Sequence, residues 1–257
     1  MRLLNIGSGP PTVPMPPHYD GWDVVRLDME ASFEPDLCMD ALDVGTLPWG
    51  SYDAAYSCHF LEHLYPADLD RFLLGVYRVV GPDGWFEVRV PDALAACKAA
   101  AFHDDLDAPC YDSPGGLIRA WDILYGYLPY QMREGKVMAH HNAFSQRSLT
   151  DTLRLYDFGL VYVSRAHFQL CAVGCKSDLP PEMKERLSIE RATGEHRPVH
   201  PDAGAADLGV VRQFRAVAEL PLRDAPRPPG DGHPPAEAAA GGRGAQLPGA
   251  ASVGGRL

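Results

Sequence analysis

The sequence predicts an α/β fold with an open, doubly wound and mostly parallel sheet of about seven strands. Three observations support this prediction. Short apolar runs alternate with turns and helical segments over residues 2–92. Several of these runs end in glycine or aspartate, as strands do where an open α/β sheet binds a ligand at their carboxyl ends. Two further β-rich runs, 160–165 and 168–176, would close the sheet as an antiparallel hairpin.

The first half of the chain contains five predicted strands and one long helix. The strands are apolar runs bounded by turn residues, at 2–6, 23–28, 36–39, 53–58 and 85–90. Apolar residues recur at helical spacing over 66–80, which predicts a helix there. Five prolines within 10–17 exclude an ordinary helix after the first strand, because each proline removes a backbone donor and clashes with the preceding turn.

The second half is less regular. An alanine-rich helix is predicted over 93–102, and an aromatic stripe at helical spacing lies within 117–128. A late helix begins after Ser145, its predicted N-cap. Beyond this helix and the hairpin, proline, glycine and alanine dominate and large apolar residues are sparse. We therefore predict one domain over 1–177 and a largely disordered tail over 178–257.

Composition narrows the class of protein. The net charge of −11 and the absence of a Lys/Arg cluster argue against nucleic acid as a partner, since phosphate binding needs clustered cations. No apolar run approaches the ~18 residues of a membrane helix, and the N-terminal apolar run is too short for a signal peptide. Six scattered cysteines favour a reduced, cytoplasmic protein.

A short glycine motif and an aspartate predict a nucleoside-containing ligand. Gly7-Ser8-Gly9 follows the first strand, where glycine permits close backbone approach. The third glycine and the helix that a pyrophosphate requires are missing, which disfavours NAD. Asp28 ends the second strand, and its carboxylate suits the two hydroxyls of a ribose.

These motifs and those after them resemble the class I S-adenosylmethionine-dependent methyltransferases, in particular small bacterial enzymes of the type 11 group. The resemblance is good over 2–92 and weaker over 140–176. It rests on Leu4-Asn5-Ile6-Gly7-Ser8-Gly9, Leu27-Asp28, Asp40-Ala41, Leu47-Pro48-Trp49, Tyr52-Asp53, Ser57 to His63, Arg78 to Gly84 and Pro91-Asp92. It implies a Rossmann-like methyltransferase fold with S-adenosylmethionine as cofactor. It also implies O- or N-methylation of a small-molecule or glycan acceptor.

The resemblance also implies the site residues. The implied cofactor-binding residues are Asn5, Gly7, Ser8, Gly9, Asp28, Met29, Asp40, Ala41, Ser57 and His59. Asp40 and the Ala41 amide would lie beside the adenine ring, with Met29 as a candidate to pack on it. Residues 104–141 would form a lid or acceptor insertion.

Three histidines are the candidate catalytic residues. His59 is the best general base, since the pKa of free imidazole lies near working pH. His140 and His141 are the alternatives, because related chains carry a histidine in the corresponding stretch, where it would border the acceptor.

Two alternatives stay open. His59-x-x-Glu62-His63 matches the inverted zinc-peptidase signature, which requires a helix that presents both histidines. The preceding residues have the pattern of a strand, so we predict no metal ligands. The proline-rich segment after Gly9 favours the second alternative, a non-catalytic S-adenosylmethionine-binding protein of the same fold. The oligomeric state is left open.

Overall fold

The computed structural model describes residues 1–187 and the two strand residues Arg215–Ala216. The main sheet contains β1 (Arg2–Ile6), β2 (Asp23–Asp28), β3 (Leu37–Cys38), β4 (Tyr52–Cys58), β5 (Val80–Pro91), β8 (Leu160–Ala166), β9 (Gln169–Cys175) and β10 (Arg215–Ala216). A separate two-stranded sheet pairs β6 (Pro109–Ser113) with β7 (Gly116–Arg119).

The strands of the main sheet lie in the order β3-β2-β1-β4-β5-β9-β8-β10. β1 to β5 pair in parallel. β9 runs antiparallel between β5 and β8, so β8 has the direction of the parallel strands. The predicted seven-stranded, mostly parallel sheet with a C-terminal antiparallel hairpin is confirmed, and the two-residue β10 extends its edge.

Six α-helices connect or flank the strands in the described residues. They are α1 (Leu69–Val79), α2 (Ala93–His103), α3 (Ala120–Tyr125), α4 (Leu128–Glu134), α5 (Gln146–Leu155) and α6 (Pro181–Arg186). Ser145 caps α5 as predicted, because its hydroxyl accepts the amide of Ser148 at 3.2 Å. None of the helices in residues 1–187 is long and apolar enough to cross a membrane.

Each face of the sheet buries its own apolar core. Leu4 and Ile6 of β1 pack with the buried side of α1 and with α5 on one face. Leu3 of β1 packs on the other face with Trp85 of β5 and Met183 of α6. β1 is therefore apolar on both sides, which is typical of a central parallel strand.

The proline-rich segment covers the second face without forming an α-helix, as predicted. Only Pro17–Tyr19 makes a single turn of 3-10 helix. Tyr19 is buried and accepts a hydrogen bond from Nε1 of Trp85 at 3.2 Å. Its ring also packs edge-on against Trp22 and Tyr56. Aromatic packing thus covers this part of the sheet in place of an α-helix.

Two elements differ from the sequence prediction. β5 starts at Val80, before the predicted strand 85–90, and continues through the turn residues 81–84. Its register with β4 shifts between the pairs Tyr52–Val80 and Ala54–Trp85. The turn is therefore a bulge within one strand. In 117–128, the first residues form β7 and only α3 is helical. Gly126 ends this helix with a φ of 91°, a value that glycine adopts without steric cost.

The predicted tail begins inside a packed segment. Leu179, Met183 and Leu187 are buried in the second core, so residues 178–187 pack on the domain predicted to end at 177. Arg215–Ala216, which also lie in the predicted tail, form a short strand. The rest of the predicted tail lies outside the described residues, and its predicted disorder stays a prediction.

Candidate functional site

Backbone hydrogen bonds to β2 hold the glycine loop at the carboxyl edge of the sheet. The amides of Gly7 and Ser8 both donate to the Leu27 carbonyl, at 2.9 and 3.1 Å. Gly7 and Gly9 have φ angles of 65° and 61°, which glycine adopts without steric cost. A Cβ on Gly7 would lie 2.6 Å from Cδ2 of Phe60. The loop is a cradle without side chains at these two glycines, as the close approach of a cofactor requires.

Asp28 closes this cradle from the end of β2. One carboxylate oxygen accepts the Gly9 amide at 2.8 Å, and the other accepts the Glu30 amide at 3.0 Å. Arg26 braces the loop by donating to the Gly9 carbonyl at 2.6 Å. Each oxygen of a carboxylate has a further lone pair, so the fixed Asp28 retains capacity to accept two vicinal hydroxyls. The glycine motif and Asp28 are brought together, and they fit the ribose and amino-acid portions of S-adenosylmethionine.

The residues expected beside the adenine lie at the ends of β2 and β3. Met29 is exposed, with an apolar side chain available for stacking. Asp40 caps the 3-10 helix Ala41–Thr46 by accepting the Leu42 amide at 2.9 Å. Ala41 is buried against the first core. The capping bond gives Asp40 a local structural role, and its contact with adenine stays a prediction.

Besides Asp28, three polar side chains of the expected cofactor set are buried. Asn5 donates from Nδ2 to Sδ of Met15 at 3.3 Å, so its amide faces the proline-rich segment and not the glycine loop. Ser8 donates from Oγ to the Gly9 carbonyl at 3.3 Å. Ser57 has a fully buried Oγ without a hydrogen-bond partner among the described residues. Of the three, Ser57 retains an unused hydroxyl at the end of β4.

His59 directly follows β4 and is held on both ring nitrogens. Its Nδ1 lies 3.2 Å from Oε1 of Glu62, and its Nε2 lies 2.9 Å from Nε2 of Gln169. Because a carboxylate can only accept, Nδ1 carries the proton and Nε2 accepts from the Gln169 amide. The backbone of His59 has a φ of 53°, an uncommon value for a residue with a side chain and one that recurs at functional sites.

The environment of His59 favours its protonated form. Burial alone opposes the charge, but the hydrogen bond and the negative charge of Glu62 outweigh burial and raise the pKa of His59. The same contacts act on Glu62 in the opposite direction. Burial opposes its charge, whereas the hydrogen bond to His59 and the charges of three histidines lower the pKa of Glu62. The imidazole of His59 is still 48% exposed, so it can meet a ligand.

Glu62 also anchors the loop that carries the other two candidate histidines. It lies on the 3-10 turn Leu61–His63, and its carbonyl accepts the amides of His141 at 2.7 Å and Asn142 at 3.0 Å. The ring of His140 lies edge-on to that of His63, with centroids 4.9 Å apart. The ring of His141 instead stacks on Tyr65 at 4.0 Å. His59 and His140 therefore gather around Glu62, whereas His141 is turned to a different neighbour.

The zinc-peptidase alternative does not match this geometry. His59 ends a strand, and Glu62 and His63 belong to one turn of 3-10 helix. That motif needs a helix that presents both histidines on one face. The local structure of residues 59–63 is instead a strand end followed by a tight turn.

A cavity of about 660 Å³ lies within the insertion of residues 104–141. Its walls include Leu117, Trp121 and Tyr127, together with the charged side chains of Arg119 and Asp122. None of its lining residues belongs to the expected cofactor set. α3, which contributes Trp121, contacts the histidine loop, because the His140 amide donates to the Tyr125 carbonyl at 3.2 Å.

Sequence reasoning missed Gln169 and the central position of Glu62. Gln169 lies 110 positions after His59, at the start of β9, and a single glutamine in a β-rich run carries no signal. Glu62 entered the sequence analysis only as part of the zinc-peptidase signature. A buried glutamate directly after a strand was the available signal, but burial is not visible in a sequence.

Comparison with known proteins agrees with this geometry. Residues 4–88 match the family model described as a methyltransferase domain. No curated protein matches the chain. Among solved structures, the chain is similar to a methyltransferase from Archaeoglobus fulgidus (14% identity, 68% of this chain and 86% of that one, TM-score 0.44).

Two other solved structures are similar to the chain at comparable sequence identity. One is a 1,6-didemethyltoxoflavin N1-methyltransferase from Burkholderia thailandensis (16% identity, 69% and 71% coverage, TM-score 0.39). The other is a methyltransferase from Methanosarcina mazei (15% identity, 68% and 92% coverage, TM-score 0.43). The family match identifies residues 4–88 as a methyltransferase domain, and the strand order and the glycine–aspartate cradle agree with that match.

Proposed function

We propose that the chain methylates an oxygen or nitrogen of a small molecule that binds between the carboxyl end of β4 and the insertion 104–141. The observation that carries this proposal is His59, which ends β4 between Glu62 and Gln169 with its ring half exposed. A general base needs to lie at the reacting centre with one nitrogen free of its proton. The tautomer set by Glu62 meets that requirement at Nε2.

We assign the cofactor-holding roles from the family resemblance, and the geometry of the cradle supports them. Gly7, Ser8 and Gly9 would hold the amino-acid portion, Asp28 the ribose hydroxyls, and Asp40 with Ala41 the adenine edge. S-adenosylmethionine supplies a methyl group already activated by its sulfonium. The protein then orients the acceptor in line with that methyl group and excludes water.

His59 would act on an acceptor that must lose a proton. A hydroxyl that replaces the Gln169 amide at Nε2 would donate its proton to that nitrogen as its oxygen takes the methyl group. The methyl–sulfur bond would break at the same time, and S-adenosylhomocysteine would leave. The proton then resides on His59, whose charge Glu62 stabilises. A nitrogen acceptor with a free lone pair needs no such transfer before it attacks.

The cavity in the insertion supports a small molecule as acceptor. Its volume of about 660 Å³ lies within the range of about 300–1,000 Å³ that is usual for small-molecule sites. Its apolar and aromatic side chains would pack against a flat ring, while Asp107, Arg119 and Asp122 offer polar partners to the substituents of that ring. The insertion as acceptor site and the cytoplasmic location stay predictions.

Replacement of His59 tests the catalytic role. We first screen phenols, hydroxylated heteroaromatics and amines for release of S-adenosylhomocysteine. For an oxygen acceptor, His59→Ala should lower kcat by about 10²–10⁴-fold, the usual contribution of a general base, while the Kd of S-adenosylmethionine changes little. His103→Ala, at the exposed end of α2, is the matched control. An unchanged kcat with an oxygen acceptor would remove His59 from the mechanism. Cofactor binding without product from any acceptor would favour the non-catalytic alternative.

A further inference from the structure

We propose that Glu62, His63 and His140 form a binding site for one divalent transition-metal ion. One potential ligand atom from each of the three lies within 4.8 Å of the other two. The ligands come from the turn after β4 and from the loop before α5, so the ion would tie these two segments together. The site was not predicted from the sequence, where no metal ligands were expected.

The two imidazoles are already oriented as metal ligands are. Nδ1 of His63 lies 3.1 Å from the Ala139 carbonyl, and Nδ1 of His140 lies 2.9 Å from the Ile123 carbonyl. A carbonyl can only accept, so both Nδ1 atoms carry the proton and both Nε2 atoms keep a lone pair. Metal-bound histidines usually donate their second ring N–H to a carbonyl or carboxylate in this way.

The carboxylate of Glu62 supplies the observation that points to a ligand. The residue is 1% exposed, and Oε1 is bonded to His59. Oε2 is buried and has no hydrogen-bond partner within residues 1–187. A buried carboxylate oxygen without a partner is costly, and a bound cation would remove that cost.

The donor set selects the class of ion. Two imidazole nitrogens with one carboxylate oxygen suit Zn²⁺, Mn²⁺, Co²⁺ or Fe²⁺, whereas Mg²⁺ and Ca²⁺ prefer oxygen ligands alone. Bonds of about 2.1 Å require the three ligand atoms to lie about 3.0–3.5 Å apart, so small side-chain rotations would close the site.

Three protein ligands leave at least one coordination position open, as in catalytic metal sites. On the proposed function, on which this role rests, the open position would receive the acceptor oxygen. An ion there lowers the pKa of a bound hydroxyl. His59, which shares Glu62 with the ion, would lie beside that hydroxyl as the proton acceptor.

Metal binding is tested on the full chain after chelation and dialysis. Titration with Zn²⁺ by calorimetry should give one site per chain, and Co²⁺ should give visible d–d absorption of a nitrogen and oxygen site. An intense thiolate charge-transfer band would instead place the ion on cysteines. His63→Gln and His140→Gln should each weaken Zn²⁺ binding by at least about tenfold, whereas His103→Gln, an exposed histidine outside the cluster, should not.

Each outcome decides a separate point. The site would be overturned by any of three results. These are the absence of one-site binding, a thiolate spectrum, or a Zn²⁺ affinity of His63→Gln and His140→Gln equal to that of the wild-type chain. Thermal unfolding of the metal-free variants near the wild-type Tm would show that lost affinity is not lost folding. One-site binding with methyl transfer indifferent to chelation would keep the site and remove its role in acceptor binding. The proposed function fails separately, through cofactor binding without product from any acceptor.

Discussion

Two buried glutamates of this protein, Glu62 and Glu87, differ in how fully their carboxylates are bonded. Glu87 is 0% exposed and accepts from Nε and Nη2 of Arg89 at 2.9 and 2.7 Å on one oxygen. Its other oxygen lies 2.6 Å from Nε2 of His18. Glu62 is 1% exposed and uses one oxygen for His59, while the other has no hydrogen-bond partner in residues 1–187.

The difference indicates different roles for the two residues. Glu87 belongs to an ion pair that supports the fold, whereas Glu62 belongs to a site that can bind a ligand. Glu87 lies inside β5 and bonds to His18, which directly follows the proline-rich segment. Glu62 lies on a turn just beyond β4, at the ligand-binding edge of the sheet. A buried carboxylate is tolerated when all its capacity is used, so the unused oxygen of Glu62 implies a missing partner.

The largest expected effect follows from breaking the complete pair. Glu87→Gln should destabilise the fold by about 3–5 kcal/mol, because it leaves Arg89 buried without its counter-charge. Glu62→Gln should cost less than about 1 kcal/mol in metal-free protein, since it removes a charge that is only half bonded. Urea unfolding measures the loss of stability in each variant. Similar losses would mean that Glu62 supports the fold as strongly as Glu87 does.

Acid unfolding sharpens the same comparison. Burial alone would raise the pKa of Glu87, but the hydrogen bond to His18 and the charge of Arg89 lower it from 4.5 to about 2. A carboxylate whose pKa falls on folding stabilises the native state above its unfolded pKa. That contribution is lost as the pH falls toward about 2 and amounts to about 3 kcal/mol.

Stability measured from pH 6 to pH 2 should therefore fall less steeply in Glu87→Gln than in the wild-type chain below about pH 4.5. The variant starts from a lower value at pH 6, so the comparison uses the slope and not the absolute stability. If stability falls with the same slope in both proteins, the pKa of Glu87 does not change on folding.

The comparison also marks what the sequence was able to predict. The strands, the glycine loop and Asp28 depend on local patterns, and they are found where they were expected. The side chain of Glu62 bonds to the nearby His59, but its carbonyl accepts the amides of His141 and Asn142 from a distant part of the chain. A contact between distant residues leaves no spacing signal, and the burial that makes Glu62 unusual arises only when the loop folds back on it.

Asp28 provides a third carboxylate between these two extremes. It is 9% exposed, and each oxygen accepts one backbone amide. Asp28→Ala should weaken S-adenosylhomocysteine binding by roughly 30-fold or about 2 kcal/mol, the usual value of hydrogen bonds to a charged group. Asp23→Ala is the matched control, at the opposite end of the same strand and largely exposed. Equal affinity of both variants by calorimetry would remove Asp28 from the ribose contact.

The smallest expected effect concerns the Phe60 side chain, which lies between the glycine loop and the turn that holds Glu62. Gly7→Ala places a Cβ 2.6 Å from the ring of Phe60, which lies two residues before Glu62. Gly21→Ala is the matched control, because it has a φ of 81° but nothing within 4 Å of the new Cβ.

Both substitutions carry the backbone cost of an alanine at positive φ, about 1–2 kcal/mol. Gly7→Ala should lose about 1 kcal/mol more in urea unfolding, because the Phe60 ring must move. That ring packs on Phe72 with centroids 5.3 Å apart, so its displacement is resisted and is passed to the turn that holds Glu62. If Gly7→Ala and Gly21→Ala lose the same free energy of unfolding, the Phe60 ring moves without cost. The glycine loop would then not be coupled to the turn that holds Glu62. A larger loss of stability in Gly7→Ala would show that the glycine loop, which the sequence predicted, and the Glu62 turn, whose role it missed, both pack on Phe60.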